Sequence, residues 1–431
     1  MDAAAIDVRT RTYLGLLAVT SVIGVVIALA TLAFLGAYDG LKDVVWDEIP
    51  DALGVDPFSW YALAATTIGG LLVGLLLTVV PGHGGPSPAH GHGIGIESLG
   101  PKEAAGAVLV SLVSLAAGAS LGPEAALLAV ALAVGAALAR RLRRPELSKV
   151  FGMSGVGSLL SGLFGSPIAP VALTLEVTPM TGHALYVFLI PILVASVVGL
   201  LTFEWILDSP LLDIHLPAYA AVELANVLEA VAIAAAAAIV GLLVIAAYRV
   251  VRRLLRPLDG RVVLKATVGG ALIGVIALVA GEETLFSGEH ELEVLLAAEP
   301  GAYGLGALVL ILAGKVLAFA LSLEVGFRGG RIFPVLFIGA DVGFIASELF
   351  ERVPLAVAVG CGMAGAAVAI MRLPVFVALL VAFFASPALL PLIVLACVVG
   401  YVLAFDKPEL GGDPGEDDVT TVGDAPAAAH P

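Results

Sequence analysis

A lone glutamate at position 124 follows Gly122-Pro123 with apolar sequence on both sides, and it belongs to one of three glycine-rich runs of similar form. These are Pro81-Gly82-His83-Gly84-Gly85-Pro86, Gly118-Ala119-Ser120-Leu121-Gly122-Pro123-Glu124-Ala125 and Gly329-Gly330-Arg331-Ile332-Phe333-Pro334. In each, glycines precede a stretch that reads as a helix. A helix N-terminus presents unpaired N–H groups and about half a positive charge, so several converging on one point bind an anion without a formal cation. An ionised carboxylate at membrane depth costs at least ~2.5–3.5 kcal/mol unless something compensates it. Glu124 therefore reads as a plug that occupies the anion site and leaves when protonated or displaced. The bland alternative is a glutamate merely favoured in the first turn of a helix.

The elements that position these runs must be membrane helices. The chain has 431 residues, 60% of them hydrophobic and only 13% charged, with a mean hydropathy of +1.07, which is not a soluble composition. A cytosolic enzyme, a secreted disulfide scaffold and a nucleic-acid binder are excluded, the last because 36 acidic and 21 basic residues leave −15 with no basic stripe. Cys361 and Cys397 lie in apolar runs and read as small buried hydrophobes. Arg9 and Arg11 precede an apolar stretch from Tyr13 to about Ala37, too long for a cleaved signal, so it is expected to stay as the first span. The organisation expected is one transmembrane domain over 1–410, with halves of roughly 13–208 and 218–408. A disordered acidic tail is expected over 411–431, where Gly, Asp, Pro and Ala cannot bury a core.

Roughly a dozen apolar stretches follow one another, and a span needs ~20 apolar residues. Val150 to Leu175 is interrupted by Gly155, Gly157, Gly162, Gly165, Pro167 and Pro170, and Val357 to Val381 by Gly360, Gly362, Gly365 and Pro374. Two basic clusters, Arg140 to Lys149 and Arg249 to Lys265, should both be cytoplasmic. Three apolar segments lie between them, so one must enter and return, and the interrupted one near 150–175 is the candidate. Gly122 and Gly329, Gly155 and Gly362, and Pro167 and Pro374 are each 207 residues apart. That offset points to two homologous halves, with interrupted helices at matching positions marking a midplane binding site. By the same offset Arg331 is the repeat-mate of Glu124.

These residues resemble the CLC family of voltage-gated chloride channels and chloride/proton antiporters, from about Gly82 to Pro408. Gly122-Pro123-Glu124 resembles the family's gating-glutamate motif, which makes Glu124 the gate. Gly82-His83-Gly84-Gly85-Pro86 is similar to its Gly-Ser-Gly-Ile-Pro loop, with His83 at the usual serine. Gly330 to Pro334 resembles the segment whose amides bind chloride, which assigns that role to the amides of Ile332 and Phe333. The resemblance implies an all-α polytopic fold of two inverted repeats with broken and re-entrant helices, working as a homodimer.

The departures bear on mechanism. The Gly-Pro after the family's glutamate is Ala125-Ala126 here, and a His83 imidazole would donate one N–H when neutral and add pH dependence when protonated. Arg331 has no usual counterpart; it either faces the pore and pairs with Glu124 or snorkels away. The second, proton-passing glutamate of antiporters falls at Val177, beside Glu176, and valine cannot carry a proton. The inner-pore tyrosine falls at Leu410, with Tyr401 as the other tyrosine nearby. The reading is passive transport of chloride or another small anion through a cell membrane, with both termini cytoplasmic and neither cofactor nor catalysis. Proton-coupled exchange is the alternative. From another class, Gly152-Met153-Ser154-Gly155 with His183 matches an intramembrane serine protease, although Ser154 reads more simply as a helix-packing residue. His83, His90 and His92 lack acidic or cysteine partners for a metal site. Trp46, Trp60 and Trp205 read as belt residues at span ends, and Glu282, Glu283, Glu289, Glu291 and Glu293 as a solvated external loop.

Overall fold

Segments that satisfy their own backbone hydrogen bonds are what this composition can place in a bilayer, and the computed structural model of the chain is built from them. It describes residues 11–85, 87–89, 100–178, 182–207, 214–298 and 301–411; His90, His92 and the tail from 412 lie outside these. The first half comprises α1 (Arg11–Asp43), α2 (Ile49–Leu53), α3 (Trp60–Val79), α4 (Pro101–Ala116), α5 (Glu124–Arg141), α6 (Ser148–Phe164), α7 (Ala169–Val177) and α8 (His183–Leu207). The second comprises α9 (Leu224–Leu255), α10 (Val262–Ala280), α11 (Glu289–Ala297), α12 (Leu305–Glu324), α13 (Ile332–Leu349), α14 (Leu355–Met371), α15 (Pro374–Phe383) and α16 (Leu390–Ala404). Among the described residues nine helical stretches are long and apolar enough to cross a membrane. Extended pairing there is limited to an antiparallel bridge between Gly122 and Gly330.

The two halves correspond most closely in α5 with α13 and α6 with α14. α6 and α14 are 207 apart at both ends (148 and 355, 164 and 371), as the glycine and proline spacings require. α5 and α13 are instead 208 apart (124 and 332, 141 and 349), and the loop after α13 is one residue shorter. The mate of Gly122 is therefore Gly330, which it pairs with, and the mate of Glu124 is Ile332. Pairing Arg331 with Glu124 by repeat is thus off by one residue. Mates meet antiparallel at this bridge, and again where α3 and α10 cross, with Gly74 against Val263 and Gly270 against Thr66.

The broken segments behave as their glycines and prolines dictate. α6 stops at Gly165, whose φ of 72° is left-handed and open to glycine, and α7 restarts with Pro170 in its first turn, where the missing N–H costs nothing. Contacts from α6 to α8 advance in the same direction, Gly157 meeting Ile192 and Gly162 meeting Phe203. α8 therefore starts on the side where α6 starts, as an α6–α7 pair that enters and returns requires. α5 and α6 touch at backbone distance: a methyl on Gly135 would lie 2.3 Å from the Gly152 nitrogen. That close approach explains the small residues around Ser154.

Two expectations need correcting. Trp60 and Trp205 are exposed as belt residues, but Trp46 is 3% exposed. A π-helical turn over Val44–Glu48 carries it inward, where its Nε1–H donates to the Ala116 carbonyl at 2.8 Å and its ring lies 5.2 Å from that of Phe286. The acidic run is also more than a solvated loop. Residues from Glu289 form α11, which packs on α13. Burial, with Glu291, Glu124 and Glu293 nearby, pushes the Glu289 carboxyl up to about 8.

Candidate functional site

Glu124 opens α5 and is 2% exposed. Its Oε1 accepts the Ile332 N–H at 2.6 Å, the first amide of α13. The amides of Phe333 and of Glu124 itself also act on the carboxylate. Its Oε2 is buried without a hydrogen-bond partner among the described residues. The carboxylate thus sits where the N-termini of α5 and α13 meet.

The seat exists because two glycines leave it open. Gly122 donates to the Gly330 carbonyl at 2.8 Å and Gly330 donates back at 2.5 Å, so the bridge forms a floor. A Cβ on Gly330 would fall 1.9 Å from the Glu124 Cδ, and one on Gly122 would fall 2.0 Å from Oε2. The loop leading to Gly122 is tied by Ser120, whose N–H donates to Ser322 Oγ at 3.1 Å.

Beside the carboxylate lies a cavity of about 40 Å³, lined by Glu124, Gly330, Arg331 and Ile332 together with apolar side chains including Leu160 and Phe376. Arg331 is 6% exposed, so it does not snorkel to the surface. It acts electrostatically on Glu124. Phe333 turns away from this cavity, its ring 4.9 Å from that of Phe164. Of the candidates, the structure therefore brings together Glu124, Gly122, Gly330, Arg331 and Ile332, with Phe333 contributing its amide.

The first glycine run is less directly engaged. Pro81–Gly84 form a single 3-10 turn rather than the start of a long helix, because Gly82, Gly84 and Gly85 all adopt positive φ. The His83 side chain lies outside the described residues. Gly82 and Gly84 do not line the cavity; Pro88, further along, does. Gly84 is held by a residue the sequence reading passed over: Arg328 Nε donates to its carbonyl at 3.2 Å, and the Arg328 amide donates to Ser114 Oγ at 3.0 Å. The signal was a second arginine, in Phe327-Arg328-Gly329-Gly330-Arg331.

Val177 ends α7, half-buried. Its neighbour Glu176 accepts the Val375 and Phe376 amides, both at 2.8 Å, so both its oxygens cap the N-terminus of α15. Leu410 is buried in the core, and Tyr401 packs its ring 5.7 Å from that of Phe405 on α16's end. Ser154 is buried on α6, and the side chain of His183 lies outside the described residues. Both cysteines are free and buried.

A family model described as "Voltage gated chloride channel" matches residues 69–404. Among curated proteins, "Putative ion-transport protein YfeO" of Escherichia fergusonii is 28% identical over 409 residues, covering 93% of this chain and 95% of the relative. Its namesake from Salmonella schwarzengrund is 28% identical over 418 residues, covering 94% and 98%. Of solved structures, a CLC-type fluoride/proton antiporter superposes with a TM-score of 0.76 at 16% identity, covering 93% of this chain and 98% of that one. A slow cyanobacterial Cl−/H+ antiporter superposes with a TM-score of 0.78 at 18% identity, covering 90% and 94%. At these identities the superpositions show the fold.

Proposed function

The chain belongs to the voltage gated chloride channel family, and from that premise we propose that it moves chloride or a similar small anion passively across a cell membrane, past a gate formed by Glu124. One observation carries the reading: the Glu124 carboxylate rests on the Ile332 amide at 2.6 Å, and so occupies the site an anion would need. Two like charges cannot share that seat. Conduction requires the carboxylate to leave, either because a proton neutralises it or because an anion displaces it. The amides of Ile332 and Phe333 then receive the ion, with Gly122, Gly330 and Arg331 around it.

Passive transport is favoured over proton exchange by the residues at the expected second proton site. Val177 has no proton to offer, and Glu176 is committed at both oxygens to α15. Coupled exchange is the second reading, supported by the likeness to two structures named as proton antiporters. The positive-inside rule applied to the basic clusters near Arg140 and Arg256 supports a cytoplasmic face for both of them and for the two termini. A homodimer follows from the family resemblance, and no cofactor or bond-making step enters the scheme.

The test is chloride efflux from proteoliposomes with proton movement recorded together. Downhill chloride without uphill protons supports the passive reading, and protons driven uphill by a chloride gradient overturn it. Glu124→Gln should raise efflux and remove its pH dependence; unchanged pH dependence would sink the gate.

A further inference from the structure

Two polar groups at the Glu124 cavity are left unserved. Glu124 spends one carboxylate oxygen on the Ile332 N–H at 2.6 Å, while its Oε2 is buried without a hydrogen-bond partner among the described residues. Arg331 is 6% exposed and lines the same cavity, and no hydrogen bond or ion pair holds its guanidinium among the described residues. Buried polar and charged groups are ordinarily paired, because leaving them unpaired costs free energy. Tethered to α5, the carboxylate meets the amide without pairing its second oxygen with the guanidinium. A free carboxylate has no such tether, and a planar guanidinium matches two oxygens held in one plane. The rest of the wall is apolar, with Leu128, Leu160, Leu173, Met371 and Phe376 among its residues; such a surface packs against an alkyl group and gives a hydrated halide nothing in exchange for its water. The cavity of about 40 Å³ admits roughly three or four water-sized groups at ~10–15 Å³ each, and the seat itself is added to that space once Glu124 leaves.

Resting on the transport reading above, we propose that the anion this seat fits best is a short-chain monocarboxylate such as acetate or propionate. Its head takes the place of the Glu124 carboxylate, one oxygen on the Ile332 amide and the other on Arg331, and its alkyl group fills the apolar cavity. Glu124 is then a tethered likeness of the ligand that displaces it, and the exchange leaves both oxygens and the guanidinium paired. Chloride enters the same seat but gains less from it. A sphere does not present two separate oxygens to amide and guanidinium, and it leaves the apolar wall uncovered.

The experiment measures binding to the full chain by calorimetry at neutral pH, where the acids are ionised, with chloride, nitrate, formate, acetate, propionate and octanoate as probes. Efflux of labelled chloride and labelled acetate from proteoliposomes is recorded beside it, against protein-free vesicles. In wild type acetate should bind at least ~10-fold more tightly than chloride, the scale of one further charge-assisted hydrogen bond. Affinity should rise about fourfold per added methylene from formate to propionate, and fall for octanoate, which overfills the cavity. Nitrate, planar but without an alkyl group, should bind more weakly than acetate. Arg331→Lys keeps the charge and loses the fork, so the preference for acetate over chloride should shrink about 10-fold. Chloride or nitrate bound as tightly as acetate in wild type overturns the proposal, and that result needs no variant to fold. An affinity that keeps rising to octanoate, the mark of partition rather than a site, also overturns it, as does an acetate preference that folded Arg331→Lys leaves intact. If chloride neither binds nor passes, the transport reading itself has failed; if chloride passes and acetate has no advantage, only the ligand class has.

Discussion

Replacing Gly122 by alanine should unseat the gate without touching the glutamate. Gly122 lies outside the left-handed region, so alanine can adopt its backbone, but the new Cβ would stand 2.0 Å from Oε2 and 2.8 Å from Cδ of Glu124. Ordinary contact begins near 3.4 Å, so the carboxylate must retreat by about 1.4 Å. Its Oε1 accepts a short bond, 2.6 Å from the Ile332 amide, which such a shift breaks. A hydrogen bond to a charged group contributes about 1.5–3 kcal/mol, so the ratio of seated to unseated gate should fall about 10- to 150-fold. The assay is chloride efflux from proteoliposomes at neutral and acidic pH. Wild type should speed up on acidification, because a protonated carboxyl no longer competes as an anion; Gly122→Ala should be fast at both. In a Glu124→Ala background the same change should do nothing. A wild-type pH response in Gly122→Ala, or an equal effect without the Glu124 carboxylate, would refute the seat described here.

Other expectations follow from neighbouring contacts. Glu176→Gln weakens the cap on α15 and should cost about 1–2 kcal/mol in stability, read as a lower Tm in detergent, with chloride efflux unchanged; an unchanged Tm would contradict the capping role. Lys315 is fully buried and donates to the carbonyls of Glu283, Leu285 and Phe286 at 2.9, 2.6 and 3.2 Å, and buried Asp341 is among the acids that act on it. Lys315→Met should therefore destabilise by about 3–5 kcal/mol, with part recovered in Lys315→Met/Asp341→Leu; thermal unfolding of the three proteins checks it. Glu289 has its carboxyl raised to about 8 from 4.5, so the folded state holds this proton more tightly than the unfolded one. Its contribution is complete below pH 4.5 and lost as pH rises toward 8. Glu289→Gln should raise Tm at pH 8 and leave it unchanged at pH 4, and an equal Tm at pH 8 would contradict the burial argument.

The parts of this site that were legible in the sequence are those set by local backbone chemistry. Gly165 and Pro170 break a helix wherever they occur, so the returning pair α6–α7 could be anticipated, and a glutamate after Gly122-Pro123 in apolar sequence needed a compensating partner. What was not legible depends on residues distant in the chain. Gly329 and Gly330 are chemically identical, so spacing alone chose the wrong one as the mate of Gly122. Glu176 looked like a spare proton carrier until α15, 199 residues on, supplied two amides. Trp46 matched a belt residue in composition, and only the π turn after α1 directs its indole to the Ala116 carbonyl.

A chain with a net charge of −15 is an unexpected host for an anion, and the resolution lies in where its charges sit. Exposed charges are screened within ~8 Å at physiological ionic strength, whereas buried ones are screened far less. Among the described residues most acids, such as Glu282, Glu351 and Glu409, are exposed. The cations Lys315 and Arg331 are buried, and Arg328 is half-buried. Lys315 fixes the loop at Phe286, whose N–H in turn donates to the Gly118 carbonyl at 3.4 Å; Arg328 fixes Gly84; Arg331 borders the cavity itself. The field an ion meets at the Ile332 amide is therefore set by helix termini and buried cations, not by the net charge. The surface acids act on the approach to the mouths. Raising salt should accordingly speed anion entry by screening the acids while leaving the competition between Glu124 and the anion at the seat almost unchanged.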